Sequence, residues 1–353
     1  MFNFFPYTDN HQLNLDWILE QIRNMKIQGD VPSYMQNARI FNVLDFGAVA
    51  DGANDDSQAI QDALDAAIGG GVVYLPAGDY LVTQTLTIPT GITVAGSNRY
   101  TTKIIFDTTN SILFDITHTN TAGMVIRDLA MQSNNARDNI AIAGGCDIAE
   151  YFSGILTLEN LLILDFATGV YGGAVPGEIG IFDSVFRSVW FENCNIGMWC
   201  CGSGNLYEHC RFTTSTDGIV LDKLSGESLD GGWMIGCIFV GNQNDIYINN
   251  DIRPFHLEGC WFEQSTNGIL AVDHADISCP VLSFHNCLLS THSTGTECLN
   301  FYNVGIGLYT VDNCQFFQEA ISYLNSYTDS NYSGTVRVTN ICSTAYDGTV
   351  TIT

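Results

Sequence analysis

Two glutamates, Glu208 and Glu258, sit at equivalent points of a repeating register, each one residue before an inferred bend in the chain. The column just before the bend reads Glu159, Arg187, Glu208, Ile235, Glu258, His285, Asp312 and Thr339. The column two residues after it reads Leu162, Trp190, Arg211, Ile238, Trp261, Leu288 and Gln315. Strands stacked in register would turn each column into a line of outward side chains with steps of about 4.8 Å. Glu208 and Glu258 would then lie two steps apart, roughly 9–10 Å between backbones. That approaches the carboxyl separation of inverting glycosidases, about 6.5–9.5 Å, in which one group protonates the leaving oxygen and the other activates water. Trp190 and Trp261 would offer indole faces for sugar rings, and Arg211 donors for hydroxyls. The plainer alternative is a row of solvated charges, with the tryptophans packed in a trimer interface.

A rival set of acids follows a later strand of each repeat. Asp222 comes with Glu227 and Asp230, Asp251 with Arg253 and His256, and Asp273 with His274 and Asp276. Loops that bulge from one face of a solenoid often form its binding side. Alignment of Asp222, Asp251 and Asp273 would raise one carboxyl pKa and supply an acid–base pair, with Arg253 and His274 as substrate contacts. Calcium ligation is another use of the same carboxylates, although neither proposed site requires a cofactor. The alternative is again ordinary polar loops. His11, His118, His209, His285 and His292 have no triad or metal-motif context.

These residues are placed by the repeat. Its bend positions are Asn160, Ser188, His209, Gly236, Gly259, Asn286, Asn313 and Asn340, most commonly 27 residues apart. Asn, Gly and His tolerate a left-handed backbone. An apolar residue stands two places before each bend, from Leu158 to Val338. Another follows by one place, including Cys210, Cys237, Cys260, Cys287 and Cys314. A third comes three places after, including Phe191, Phe212, Phe239 and Phe262. Strand side chains alternate faces, so these are the inward positions. A further apolar point recurs about ten residues past the bend, at Val170, Met198, Ile219, Ile246, Ile269 and Val350, as a third sheet requires. A period of this length marks a solenoid. The fold expected is all-β, a single-stranded parallel β-helix; a leucine-rich horseshoe would need shorter, Leu-dense repeats.

Composition narrows the function. The chain has 353 residues, 46% of them hydrophobic, enough for one continuous core. Its 38 acidic and 12 basic residues give a net charge of −26, which argues against nucleic acid or an anionic membrane as partner. Such a surface is soluble by default, and it also suits neutral or cationic glycans. The twelve cysteines include no CxxC, and five share one inward column, so all are read as thiols of a chain made in a reducing cytoplasm. The N-terminus lacks a signal-peptide pattern, and no stretch is apolar enough to span a membrane. The last residues, Thr351-Ile352-Thr353, fall within a strand pattern, so a neighbour or a further segment is expected to cover that edge.

Residues 1–35 differ from the rest. Leu15, Ile18, Ile22 and Met25 follow helical spacing, which predicts a helix suited to self-association or docking, or one folded back on the solenoid. The β-helix is expected over 36–353, with a capping helix at about 56–68. That helix would have N-cap chemistry from Asn54–Asp56 and Ser57 and a stop at Gly69–Gly71.

The stretch Asn42-Val43-Leu44-Asp45-Phe46-Gly47-Ala48, then Asp51-Gly52, Asn54-Asp55-Asp56, Ala59-Ile60 and Gly70-Gly71-Val72-Val73-Tyr74-Leu75-Pro76-Ala77-Gly78, resembles the N-terminal signature of the pectate-lyase superfamily. Polygalacturonase-like enzymes and many phage tailspikes share it. The resemblance covers about residues 40–106 and implies a right-handed β-helix, with polysaccharide binding or cleavage. Residues 3–9 and 13–19 also resemble the N-terminal tag of phage and prophage tail or appendage proteins. Together these imply a virion tailspike that binds, and as an enzyme would depolymerise, a bacterial surface glycan. Residues 1–35 would dock to a tail or capsid-proximal protein, and a homotrimer is expected. The polygalacturonase set of Asn-Thr-Asp, a downstream Asp-Asp, Gly-His-Gly and Arg-Ile-Lys is absent, so no family catalytic residue carries over. A non-enzymatic virion fibre and a cellular polysaccharide lyase or hydrolase are the alternatives.

Overall fold

The chain divides at Arg39–Ile40 into a short N-terminal unit and a long second unit. A computed structural model describes residues 39–116, 123–135, 137–144, 146–147, 156–172, 178–179, 181–200, 202, 204–222, 231–248, 254–272, 281–291, 299–301, 308–317, 324–326, 335–339 and 342–343. The helix expected near the N-terminus lies outside these residues.

The second unit is a right-handed parallel β-helix. Three sheets run its length, two of twelve strands and one of ten, and every strand pair within them is parallel. The first sheet starts at Ile40–Asn42, the second at Asp51–Asp55 and the third at Leu86–Thr87. One antiparallel pair, Cys146–Asp147 with Glu178–Ile179, lies outside them.

The bend between the first and second sheets follows the sequence register. Asn160, Ser188, His209, Gly236, Gly259, Asn286 and Asn313 all adopt positive φ, between 51° and 61°. At Gly236 an added Cβ would come within 3.0 Å of the His209 ring, so the absent side chain makes room for the bend residue of the preceding coil. A second column of left-handed residues, not anticipated from the sequence, follows five places later: Asp165, Asn193, Thr214, Gly241 and Gln264. It turns the chain out of the second sheet. Its residue types vary more, which hid it.

The inward columns form the core. Leu158, Phe186, Tyr207, Met234, Leu257 and Phe284 are fully buried, as are Cys210, Cys237 and Cys260. Phe191, Phe212, Phe239 and Phe262 stack with ring centroids 4.7–4.9 Å apart and planes within 9–11° of parallel. The stacking follows from strand spacing, since identical residues at identical register meet at the inter-strand distance. The five column cysteines are free thiols. Neighbouring thiols and burial push the Cys287 pKa up to about 12, so the sulfur stays protonated and packs as a small apolar group.

Two expectations are corrected. In the third sheet Ile246 pairs with Leu270 rather than Ile269, because one extra residue separates Ser265 from Gly268 in that coil. The helix α1 (Ser57–Ala66) packs against the first strand and the start of the third sheet, but Asp56 does not cap it with its side chain. Its carboxylate accepts hydrogen bonds from the amides of Val49 at 2.6 Å and Ala50 at 3.1 Å. Asp55 instead accepts from the Ser57 amide at 3.0 Å and the Thr83 hydroxyl at 2.7 Å, tying the helix start to the strand beside it.

Candidate functional site

The two outward columns exist as registered lines on either side of the bend. Backbone pairing runs Glu159, Arg187, Glu208, Ile235, Glu258, His285, Asp312 and Thr339 along the first sheet. It runs Leu162, Trp190, Arg211, Ile238, Trp261, Leu288 and Gln315 along the second. The bend thus forms a ridge with Glu208 and Glu258 on one flank and Trp190, Arg211 and Trp261 on the other.

Along this ridge the chemistry changes from charged to apolar. Arg187 directs Nε (2.8 Å) and Nη2 (2.7 Å) onto Oε2 of Glu208, and its Nη1 lies 3.5 Å from Glu159. The hydrogen bond that Arg187 donates to Glu208 raises the Arg187 pKa further above its usual range. Glu208 is therefore held by its neighbour one coil back. Two coils on, Glu258 accepts a bond from the side-chain amide of Asn286, which in turn accepts from Asn313, so bend residues form an amide ladder beside it. Between the two glutamates lies Ile235, 38% exposed.

Trp190 and Trp261 differ although they occupy the same column. Trp261 is 46% exposed, whereas Trp190 is half-buried with the guanidinium of Arg99 over its ring at 3.9 Å. Arg211 lies 5.5 Å from the same ring centre. Arg99 belongs to the turn after strand Ile92–Gly96 and reaches the Ser188 carbonyl at 2.9 Å, 89 residues away.

The structure adds residues that sequence reasoning passed over. Trp233 projects three places before its bend and is 49% exposed. Met234 next to it is inward, so alternation alone points Trp233 outward; following only two outward columns left it out. The ring of His256 stacks on Trp233 at 6.0 Å, and its Nδ1 is 2.6 Å from the Ser283 hydroxyl. His256 thus stands in a strand of the first sheet, not in a loop with Asp251. Arg99 could not be placed on the ridge from sequence, because only the fold carries its turn across to Ser188.

The rival acid site is described in part. Asp222 follows the third-sheet strand Asp217–Leu221, is buried, and donates its amide to the Cys200 carbonyl at 3.1 Å. Asp251, Arg253, Asp273 and His274 lie outside the described residues. Among the described residues no group of three His, Cys, Asp or Glu side chains is arranged to hold a metal ion, and no helix is long and apolar enough to cross a membrane.

Comparison with known proteins places this parallel β-helix within one family. Residues 40–291 match the family described as rhamnogalacturonase A/epimerase, pectate lyase-like, and the chain belongs to it. Over 223 residues, 62% of the chain, it is 30% identical to the mannuronan C5-epimerase AlgE3 of Azotobacter vinelandii. It is 26% identical over 178 residues, 46% of the chain, to the tail spike protein of Shigella phage Sf6. These matches span 11% and 27% of the two relatives, far less than their full lengths. The crystal structure of the Acinetobacter baumannii phage AM24 tailspike protein shares the fold, with a TM-score of 0.60 and 13% identity over 88% of this chain and 55% of that one.

Proposed function

We propose that this chain is the β-helix of a tailspike-like virion protein that binds a bacterial surface polysaccharide along its bend ridge. The observation that carries this reading is the exposed apolar line of Trp233, Ile235 and Trp261 beside Glu208 and Glu258. Trp233 and Trp261 stay about half exposed, and indole faces suit the C–H face of sugar rings. Carboxylates next to them accept from hydroxyls, as a glycan groove requires. The likeness to phage tail spikes supports the setting, with residues 1–35 joining the particle and three chains assembling together. No nucleic acid, membrane or cofactor takes part in this reading.

Binding is tested by titrating the full chain against a panel of bacterial envelope polysaccharides. Trp233→Ala and Trp261→Ala are each expected to weaken binding about tenfold or more while leaving the unfolding midpoint within error. A wild-type chain that binds no envelope glycan, or tryptophan variants that bind unchanged, would refute the assignment. Depolymerisation is a second reading, favoured by the two carboxylates two coils apart. It predicts release of reducing ends by the wild type and its loss in Glu208→Gln. No release by the wild type would remove turnover and leave binding standing.

A further inference from the structure

A chain with net charge −26 has carboxylates to spare, so a cation without one is informative. Lys103 lies 3.8 Å from Asp79, Arg127 lies 3.7 Å from Asp128, and Arg187 pairs with both Glu159 and Glu208. Arg99 and Arg211 have no carboxylate within ion-pair distance among the described residues, and both gather on Trp190. Glu208, three residues before Arg211 across the bend, is already held by Arg187.

Arg99 is the more constrained of the two. It is only 9% exposed, and its Nη1 and Nη2 donate to Ser188 O and Tyr100 Oη at 2.9 and 3.1 Å. Its Nε is buried with no hydrogen-bond partner. A buried guanidinium costs free energy unless it is paired, and an indole face offsets only part of that cost. A second cation at the same ring adds repulsion. A latch for the turn would need Arg99 alone. It would leave the second cation, Arg211, unexplained.

We propose that Arg99, Trp190 and Arg211 form a subsite for an oxyanion carried by the bound glycan, either the carboxylate of an acidic sugar or a phosphodiester in the polymer. The inference rests on the glycan-binding reading above. Guanidinium groups recognise both anions through charge-assisted N–H···O bonds, and Arg99 prefixes one of them. Arg211, half-exposed, is the group that meets the ligand. The net charge of the whole chain argues for a neutral or cationic glycan; the local arrangement reverses that at one end of the ridge. The ligand would then lie with its charged group near Trp190 and its less polar part against Trp233, Ile235 and Trp261.

The test is calorimetric titration of the full chain with three probes: a polymer of carboxylated sugars, its carboxyl-reduced neutral form, and a phosphodiester-linked wall polymer. The wild type is expected to prefer one of the charged probes over the neutral form by about tenfold or more. Whichever charged probe wins identifies the anion's source. Arg211→Gln should abolish that preference, lowering affinity for the charged probe about tenfold more than for the neutral form, and Arg211→Lys should restore part of it. Trp261→Ala should weaken charged and neutral probes equally. Equal affinity for charged and neutral forms, or an equal loss of both in Arg211→Gln, would overturn the subsite. If no glycan binds at all, the ridge reading fails, and millimolar phosphate and sulfate then decide the oxyanion site alone. A larger rise in unfolding midpoint for the wild type than for Arg211→Gln supports it, and no difference overturns it.

Discussion

The two faces of the same strands carry different kinds of residue. Three places after the bend, facing inward, Phe191, Phe212, Phe239 and Phe262 repeat coil after coil and are fully or almost fully buried. One place earlier, facing outward, the same strands carry Trp190, Arg211, Ile238 and Trp261, with no repeat of type from each coil to the next. A solenoid core needs each coil to match the one below, because stacking at a fixed spacing favours like shapes. A ligand imposes no such period. Regularity inside marks packing, and irregularity outside is where recognition is written.

The largest effect expected from this contrast is at an inward position. Phe239 stacks between Phe212 at 4.7 Å and Phe262 at 4.8 Å. Phe239→Ala removes both ring contacts and leaves a cavity that rigid neighbouring coils cannot fill, so a loss of about 3–5 kcal/mol is expected. Chemical denaturation measures it. A loss below about 1 kcal/mol would mean the coils collapse around the gap, and the inside–outside contrast would fail as an energetic statement.

One inward position sharpens the comparison. In the third sheet the positions facing the stacked rings are Gly169, Gly197 and Gly218, where a Cβ would meet the next coil's carbonyl at 2.5–2.6 Å. The next residue in that line is Asp245, fully buried, with hydrogen bonds from the Ser265 hydroxyl and from Asn242 at 2.9 Å. Burial pushes its pKa up from 3.8 to about 7. A raised folded-state pKa means the folded chain holds a proton that the unfolded chain has released. Stability from this group is therefore complete below about pH 4 and falls as pH rises towards 7. Asp245→Asn keeps the shape, with its amide donating to Ser265 and its oxygen accepting from Asn242. The variant should be more stable than the wild type above pH 7, by up to about 4 kcal/mol, and nearly equal to it near pH 4. Denaturant midpoints at the two pH values test this, and a difference that did not change with pH would show the carboxyl to be charged throughout.

What the sequence made legible follows the same division. The bend residues, the Cys column and the Phe column could be read directly, because each repeats and each repeat has one physical cause. The outward lines could be aligned by the same register. Their contents could not be ranked by it. Trp190 and Trp261 look equivalent in sequence and differ in the structure because Arg99 crosses from a distant coil to cover one of them. The second bend was hidden because Asp165, Asn193, Thr214, Gly241 and Gln264 share a conformation without sharing a residue type. Asp245 was hidden for the opposite reason, since a polar residue beside a turn reads as solvated until the fold encloses it.

The smallest effect is expected where the outward face looks most ordered. Arg187 joins Glu159 and Glu208 in one line, a geometry that invites a structural role. Yet the Arg187 side chain is 46% exposed and the Glu208 side chain 25%, so water and salt compete for every contact. Arg187→Gln should therefore shift the denaturation free energy by less than about 1 kcal/mol, and most of that shift should vanish in about 1 M salt, where charges are screened within a few ångströms. A loss approaching that of Phe239→Ala would show that the ridge holds the coils together. The outer columns would then need to be read as part of the fold, and their irregularity would lose its meaning as a record of what the ridge binds.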